Sequence, residues 1–132
     1  MYDESDRVVP LFIKLCKEGK DLTVFGKEKL LDFTYIDDAI IGVMLCIKKF
    51  NDIKNNVFNL SSGQGTSILE VARLIKKLLK TKNNINVKDN RVGEVVKYIA
   101  DISKAKEKIG YDPKTTIVEG IKKSIDWYER IW

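Results

Sequence analysis

The apolar positions of the chain recur with two different periods. In residues 7–19, RVVPLFIKLCKEG, Val8, Phe12, Leu15 and Cys16 fall at helical spacing, Gly19 stops the run, and Pro10 is tolerated in the first turn. LTVFG at 22–26 and DFTYI at 32–36 alternate instead, and predict two strands separated by the polar loop 27–29. A helix is predicted from Asp37 or Asp38 to about Phe50, because a carboxylate there can cap it by accepting its free amide hydrogens. Residues 39–47 of that helix, AIIGVMLCI, are apolar all round, the pattern of a helix covered on more than one side.

Downstream, VFNL at 57–60 reads as a short strand and SSGQG as a tight turn. Ser67 with Glu70 makes a capping box, opening a helix to about Lys80 whose core stripe is Ile68, Val71, Ala72, Ile75, Leu78 and Leu79. Strands are predicted at 85–87 and 95–100, then a short helix from Asp101 or Ser103 to Gly110 and a turn at 111–113. Thr116 with Glu119 forms a second box, and Ile117, Ile121, Ile125, Tyr128 and Ile131 or Trp132 carry an apolar stripe to the chain end. Without repeats, low-complexity tracts or a linker, residues 1–132 read as a single α/β domain of alternating helices and short strands.

Composition narrows the class. A chain that is 44% hydrophobic and 33% charged is not a disordered one. Its longest apolar run, 39–47, is far short of the roughly 20 residues a membrane span needs, and the start MYDESDR is acidic where a signal peptide is basic, so the expected location is cytoplasmic, with no membrane partner. The net charge of +5 rides on lysine. The densest basic run, 76–82, closes a predicted helix, where cations complement the C-terminal dipole, and no basic stripe interleaved with aromatics calls for nucleic acid.

Candidate chemistry is sparse. There is no histidine, and no tyrosine is followed four positions later by lysine. Cys16 and Cys46 sit in apolar periodic segments without CxxC spacing and read as buried structural thiols. No metal-ligand set and no catalytic residue is expected. SSGQG has Ile68 where a dinucleotide fingerprint needs a third glycine, and it lacks the Gly-Lys of a P-loop, so a structural turn is the simpler reading. Arg91, in the run RVGE before a predicted strand, has the fork that grips phosphate oxygens, and is equally compatible with a solvated loop.

Read in order, VVPLFI, LTVFG, LDFTYIDDAIIGV, VFNLSSGQGTSILEVARLI, RVGEVVKYIADISKAKEKIGYDP and EGIKKSIDWY resemble the C-terminal, substrate-binding part of the NAD-dependent nucleotide-sugar epimerase/dehydratase family. These are extended short-chain dehydrogenases that include UDP-glucose 4-epimerase, and the likeness covers about residues 7–128. It implies a small alternating helix/strand C-terminal lobe whose Rossmann half, with its G-x-x-G-x-x-G and Tyr-x-x-x-Lys elements, is absent from this chain. NAD then belongs to the parent enzyme, which oxidises a sugar C4 hydroxyl, and this portion alone holds no cofactor and does not turn over.

The resemblance further implies that a nucleoside diphosphate sugar lies between Val8 with Val9 and Thr23 with Phe25, with Arg91 on the pyrophosphate and Glu94 at the position that reaches ribose hydroxyls. Where the family has a second arginine this chain has Leu31, so that either Lys27 or Lys29 would supply the missing charge or the pyrophosphate would be held more weakly. It also explains the all-round apolar helix, whose second partner would be the missing half, in cis or in trans, with the 57–60 strand joining that half's sheet. Alone, the chain would expose a hydrophobic face that favours self-association, and the alternative reading is a free-standing interaction module that pairs with itself or with a separate Rossmann-half protein.

Overall fold

A computed structural model of the chain describes residues 7–90, 93 and 95–131. Helix α1 (Val8–Lys17) leads through a turn at Gly19 into strand β1 (Leu22–Phe25), and β2 (Leu30–Asp32) precedes α2 (Ile36–Lys48) and the single turn α3 (Phe50–Ile53). Strand β3 (Gly65–Ser67) runs directly into α4 (Ile68–Leu79), followed by β4 (Ile85–Lys88), β5 (Lys97–Tyr98), α5 (Ser103–Ile109) and α6 (Ile117–Ile131).

The strands form two small sheets. β1 pairs in parallel with β4, with Leu22 opposite Ile85 and Phe25 opposite Lys88. β2 lies between β3, antiparallel, and β5, parallel. Alternation along β1 sends Leu22 and Val24 into the interior, where both are fully buried against Phe12, Ile13 and Cys16 of α1, Val71, Ala72 and Ile75 of α4, and Ile121 and Ile125 of α6. A second, smaller core gathers Ala105, Ile109 and Tyr111, with Leu45, Cys46, Phe58 and Leu60 packed on it.

The two capping boxes close as expected. Glu70 N–H donates to Ser67 Oγ at 3.1 Å and the Glu70 carboxylate accepts from Ser67 N–H at 2.8 Å. Thr116 and Glu119 repeat the pattern at 3.0 and 3.3 Å. The α4 stripe packs as predicted, with Ile68, Val71, Ala72 and Ile75 buried and Leu78 and Leu79 half-buried on the same core. In the last helix Ile117, Ile121, Ile125 and Tyr128 join that core, Ile131 is exposed, and Trp132 lies outside the described residues.

Four expectations require correction. The strand placed at 32–36 is three residues long and ends at Asp32, because its antiparallel partner β3 begins opposite it, at Gly65. Residues 57–60 pair with no strand among the described residues, which neither meets nor contradicts the expectation that they join another sheet: Val57 is 82% exposed, while Phe58 and Leu60 turn onto the second core. The run 95–100 contributes only Lys97 and Tyr98 to a sheet, and Gly65–Ser67, read as turn and cap, is itself a strand. Finally, neither aspartate caps α2. Its N-cap is Tyr35, without a side-chain bond, and Asp38 is buried one turn in, accepting from Lys114 N–H at 3.2 Å and Thr115 N–H at 2.9 Å.

Two carboxylates therefore act as long-range ties. Asp32, at the end of β2, accepts from Ser62 N–H (3.0 Å), Ser62 Oγ–H (2.5 Å), Gly63 N–H (3.0 Å) and Ala100 N–H (3.2 Å). Burial pushes its carboxyl up, but the hydrogen bonds from Ser62, Ser61, Ala100 and Gly63 outweigh it and hold the group below the ordinary carboxylate range. Asp38 is depressed in the same way, burial being overcome by the Lys114 and Thr115 amides.

Two expected outcomes follow from this packing. Gly42 lies where α2 meets Leu60 and the ring of Tyr111, and a Cβ there would come within 2.8–3.0 Å of their carbons. Alanine gains up to about 1 kcal/mol of helix propensity, whereas overpacking costs about 1–3 kcal/mol, so Gly42→Ala lowers the unfolding midpoint. Because both aspartates have depressed folded pKa values, their contribution is complete above the unfolded value near 3.8 and is lost as pH falls through the folded values. Asp32→Asn costs about 2–3 kcal/mol at neutral pH, since an amide sets donors against donors, and flattens the acid limb of a Tm-against-pH curve. An unchanged acid limb contradicts this assignment.

Candidate nucleotide site

β1 and β4 are parallel, so their carboxyl ends open on one side of the molecule, the edge at which α/β sheets present ligand crevices. Thr23 and Phe25 are half-buried and stand on the face of β1 opposite the buried Leu22 and Val24. Lys88 is the cross-strand neighbour of Phe25, and its ammonium lies 5.8 Å from the centroid of that ring. Beyond Phe25 the chain turns at Gly26, whose N–H donates to Lys88 O at 2.9 Å and whose φ of +74° excludes most side chains. The Asn90 carboxamide packs on Gly26, so that a Cβ would meet its oxygen at 1.6 Å.

The turn that follows carries the two lysines singled out from sequence. Lys27 is exposed; Lys29 is half-buried, its N–H donating to Gly26 O at 3.1 Å and its carbonyl accepting from Ile68 N–H at 3.3 Å. That second bond anchors the turn to the start of α4. Leu31 is half-buried on the first core, so it offers the crevice no charge. Arg91 and Glu94 lie outside the described residues.

Val8 and Val9 occupy the first turn of α1, half-buried on the first core. Val9 also lines a cleft of about 280 Å³ with Phe33, Tyr35, Ile117, Ile121 and Tyr128. Lys123 lies 4.7 Å over the Tyr35 ring at its rim and 3.9 Å from Asp37. Two hydroxyls along the cleft are already engaged: Thr116 Oγ–H donates to Glu119 at 2.8 Å and Ser124 Oγ–H to Gly120 O at 2.8 Å.

The glycine turn at 61–65 was the other sequence feature that suggested phosphate. Its three central amides do not fit a dinucleotide pyrophosphate, because they are already spent. Ser62 and Gly63 donate to Asp32, and Gln64 N–H donates to Ser62 Oγ at 3.1 Å. Of the two thiols, Cys16 is buried, and burial pushes it up against the opposing pull of Thr81 and Lys76, while Cys46 is half-buried on the second core. Among the described residues no cluster of His, Cys, Asp or Glu is suited to a metal ion, and no helix is long and apolar enough to cross a membrane.

Lys88 and Asn90 were not singled out from sequence. Their signal exists only once β4 is known to pair in parallel with β1, because only that register sets Lys88 beside Phe25.

Comparison with known proteins agrees with the geometry of this lobe. The GDP-mannose 4,6 dehydratase family matches residues 3–124. The chain is 33% identical to the uncharacterized UDP-glucose epimerase YtcB of Bacillus subtilis, covering 100% of this chain and 43% of that protein. It is 31% identical to UDP-glucuronate 4-epimerase 4 of Arabidopsis thaliana, covering 96% of this chain and 33% of that one. Among solved structures, UDP-glucuronic acid 4-epimerase from Bacillus cereus, in complex with UDP-glucuronic acid and NAD, superimposes with a TM-score of 0.88 at 30% identity, over 96% of this chain and 41% of its own. UDP-glucose 4-epimerase of Thermotoga maritima, with UDP-glucose, gives 0.83 at 30% identity, over 98% and 41%. The chain thus spans about two fifths or less of the length of these relatives, and it belongs to the GDP-mannose 4,6 dehydratase family, with the mixed α/β fold of the C-terminal lobe of extended short-chain dehydrogenases.

Proposed function

We propose that this chain is the nucleotide-sugar-binding portion of an NAD-dependent nucleotide-sugar epimerase or dehydratase of the UDP-glucose 4-epimerase kind. The observation that carries the reading is its superposition, at TM-score 0.88, on 41% of an epimerase solved with UDP-glucuronic acid and NAD. In this reading the nucleoside diphosphate sugar lies at the carboxyl ends of β1 and β4. Thr23 and Phe25, with Val8 and Val9, flank the base and ribose, Lys27 and Lys29 bring positive charge to the phosphates, Arg91 grips the pyrophosphate, and Glu94 reaches the ribose.

NAD belongs to the parent enzyme in this reading. The chain contributes neither the Tyr-x-x-x-Lys pair nor a glycine turn with open amides, so its share of the work is to bind and orient the nucleotide. By itself it catalyses nothing.

The apolar face of α2 completes the proposal. Ile40 is 52% exposed, Met44 58% and Ile47 62%, with Ile36, Ile41, Val43 and Phe50 also open, a grouping that soluble surfaces rarely tolerate. We assign this face to the remainder of the parent, in cis or in trans. The same exposure supports the second reading, a free-standing module that self-associates.

Two measurements test these readings. Titrated with UDP, the chain is expected to show amide shifts in 22–29 and 85–90 of its 15N–1H spectrum, and no interconversion of UDP-sugars when NAD is added. A spectrum indifferent to UDP refutes the binding reading, and turnover refutes inactivity alone. Ile40→Lys combined with Met44→Lys is expected to leave the far-UV spectrum unchanged and to shift light-scattering mass from associated species to monomer. A wild-type chain that stays monomeric and ignores a separately expressed Rossmann half removes the assembly reading.

A further inference from the structure

We infer that Lys88 is a phosphate-contacting, specificity-determining residue of the nucleotide site, an inference that rests on the reading above. A nucleoside diphosphate asks for a flat apolar surface beside a cation. The corner between β1 and β4 supplies both from adjacent residues: the ring of Phe25 and, opposite it in the ladder, the ammonium of Lys88 at 5.8 Å from the ring centroid. The backbone fixes this juxtaposition, since Gly26 N–H closes on Lys88 O and the Asn90 carboxamide fills the space over Gly26.

Lys88 is exposed and makes no ion pair with any described residue. Nothing on β2 competes for the role, because Leu31 is packed on the first core. A lysine here gives a point charge without the fork of an arginine, which makes the contact tolerant of phosphate geometry and sensitive to salt.

The test compares UDP with uridine by calorimetry or spectral titration. Lys88→Gln is expected to weaken UDP binding roughly two- to fivefold, the range of a solvent-exposed ion pair, while leaving uridine binding unchanged. Lys88→Arg restores UDP binding, and the difference between wild type and Lys88→Gln vanishes in molar salt. Equal UDP affinity of Lys88→Gln and wild type overturns this inference and leaves the nucleotide-binding reading standing. An equal loss for uridine and UDP also overturns it, since Lys88 would then act by supporting Phe25. A wild-type chain that binds no UDP overturns both.

Discussion

The carboxylate of Asp32 is the point on which distant parts of the chain converge. It ends β2, collects both backbone amides of the Ser62–Gly63 turn and the Ser62 hydroxyl, and takes a fourth donor from Ala100, 68 residues away. A charged acceptor with four donors is a strong tie, and its half-buried setting makes each unpaired donor costly if the charge is lost. Through it the middle strand of the three-stranded sheet, the approach to β3 and the exit from β5 share one anchor. The amides of Ser62 and Gly63 are thereby closed on the protein's own anion and are not open to a ligand's.

Helix α2 is held by a comparable device on one side only. Asp38 clasps the 113–116 segment, and Gly42 lets Leu60 and Tyr111 approach the helix backbone. Tyr111 is fully buried, and its hydroxyl has no hydrogen-bond partner among the described residues; burial, with the nearby charges of Asp38 and Asp32, pushes its pKa up. The opposite side of α2 is bare hydrocarbon. At about 25 cal/mol per Å² of apolar surface removed from water, covering such a face would stabilise this lobe.

Local codes were the legible part of the sequence. Capping boxes at Ser67–Glu70 and Thr116–Glu119 place two helices because every group they need lies within four residues. The α4 stripe is legible for the same reason. Pairing was not: VFNL has the composition of a strand, yet a strand is a relation to a neighbour, and residues 57–60 have none among the described residues. The same limit hid β3 and the company of Lys88, both set by partners some 35 to 65 positions away. Asp38 was misread because a carboxylate near a helix start satisfies a local rule whether or not a distant loop claims it. For the candidate site, Phe25 and the lysines of the 26–29 turn were named only through the family resemblance, whereas the corner that gathers Phe25, Gly26, Lys88 and Asn90 required the fold.

The parallel pairing of β2 with β5 has a consequence for biosynthesis. Leu30 finds Lys97 and Leu31 finds Tyr98, so the middle strand of its sheet keeps a naked edge until residues 97 and 98 have cleared the ribosome. β1 likewise waits for β4, some 63 residues further on. Closing loops of this length is slow, and an open edge beside a bare helix invites the wrong neighbour meanwhile. The nascent lobe is therefore most vulnerable between the emergence of β1 and that of β5, when a holdase or a waiting partner would have the most to protect.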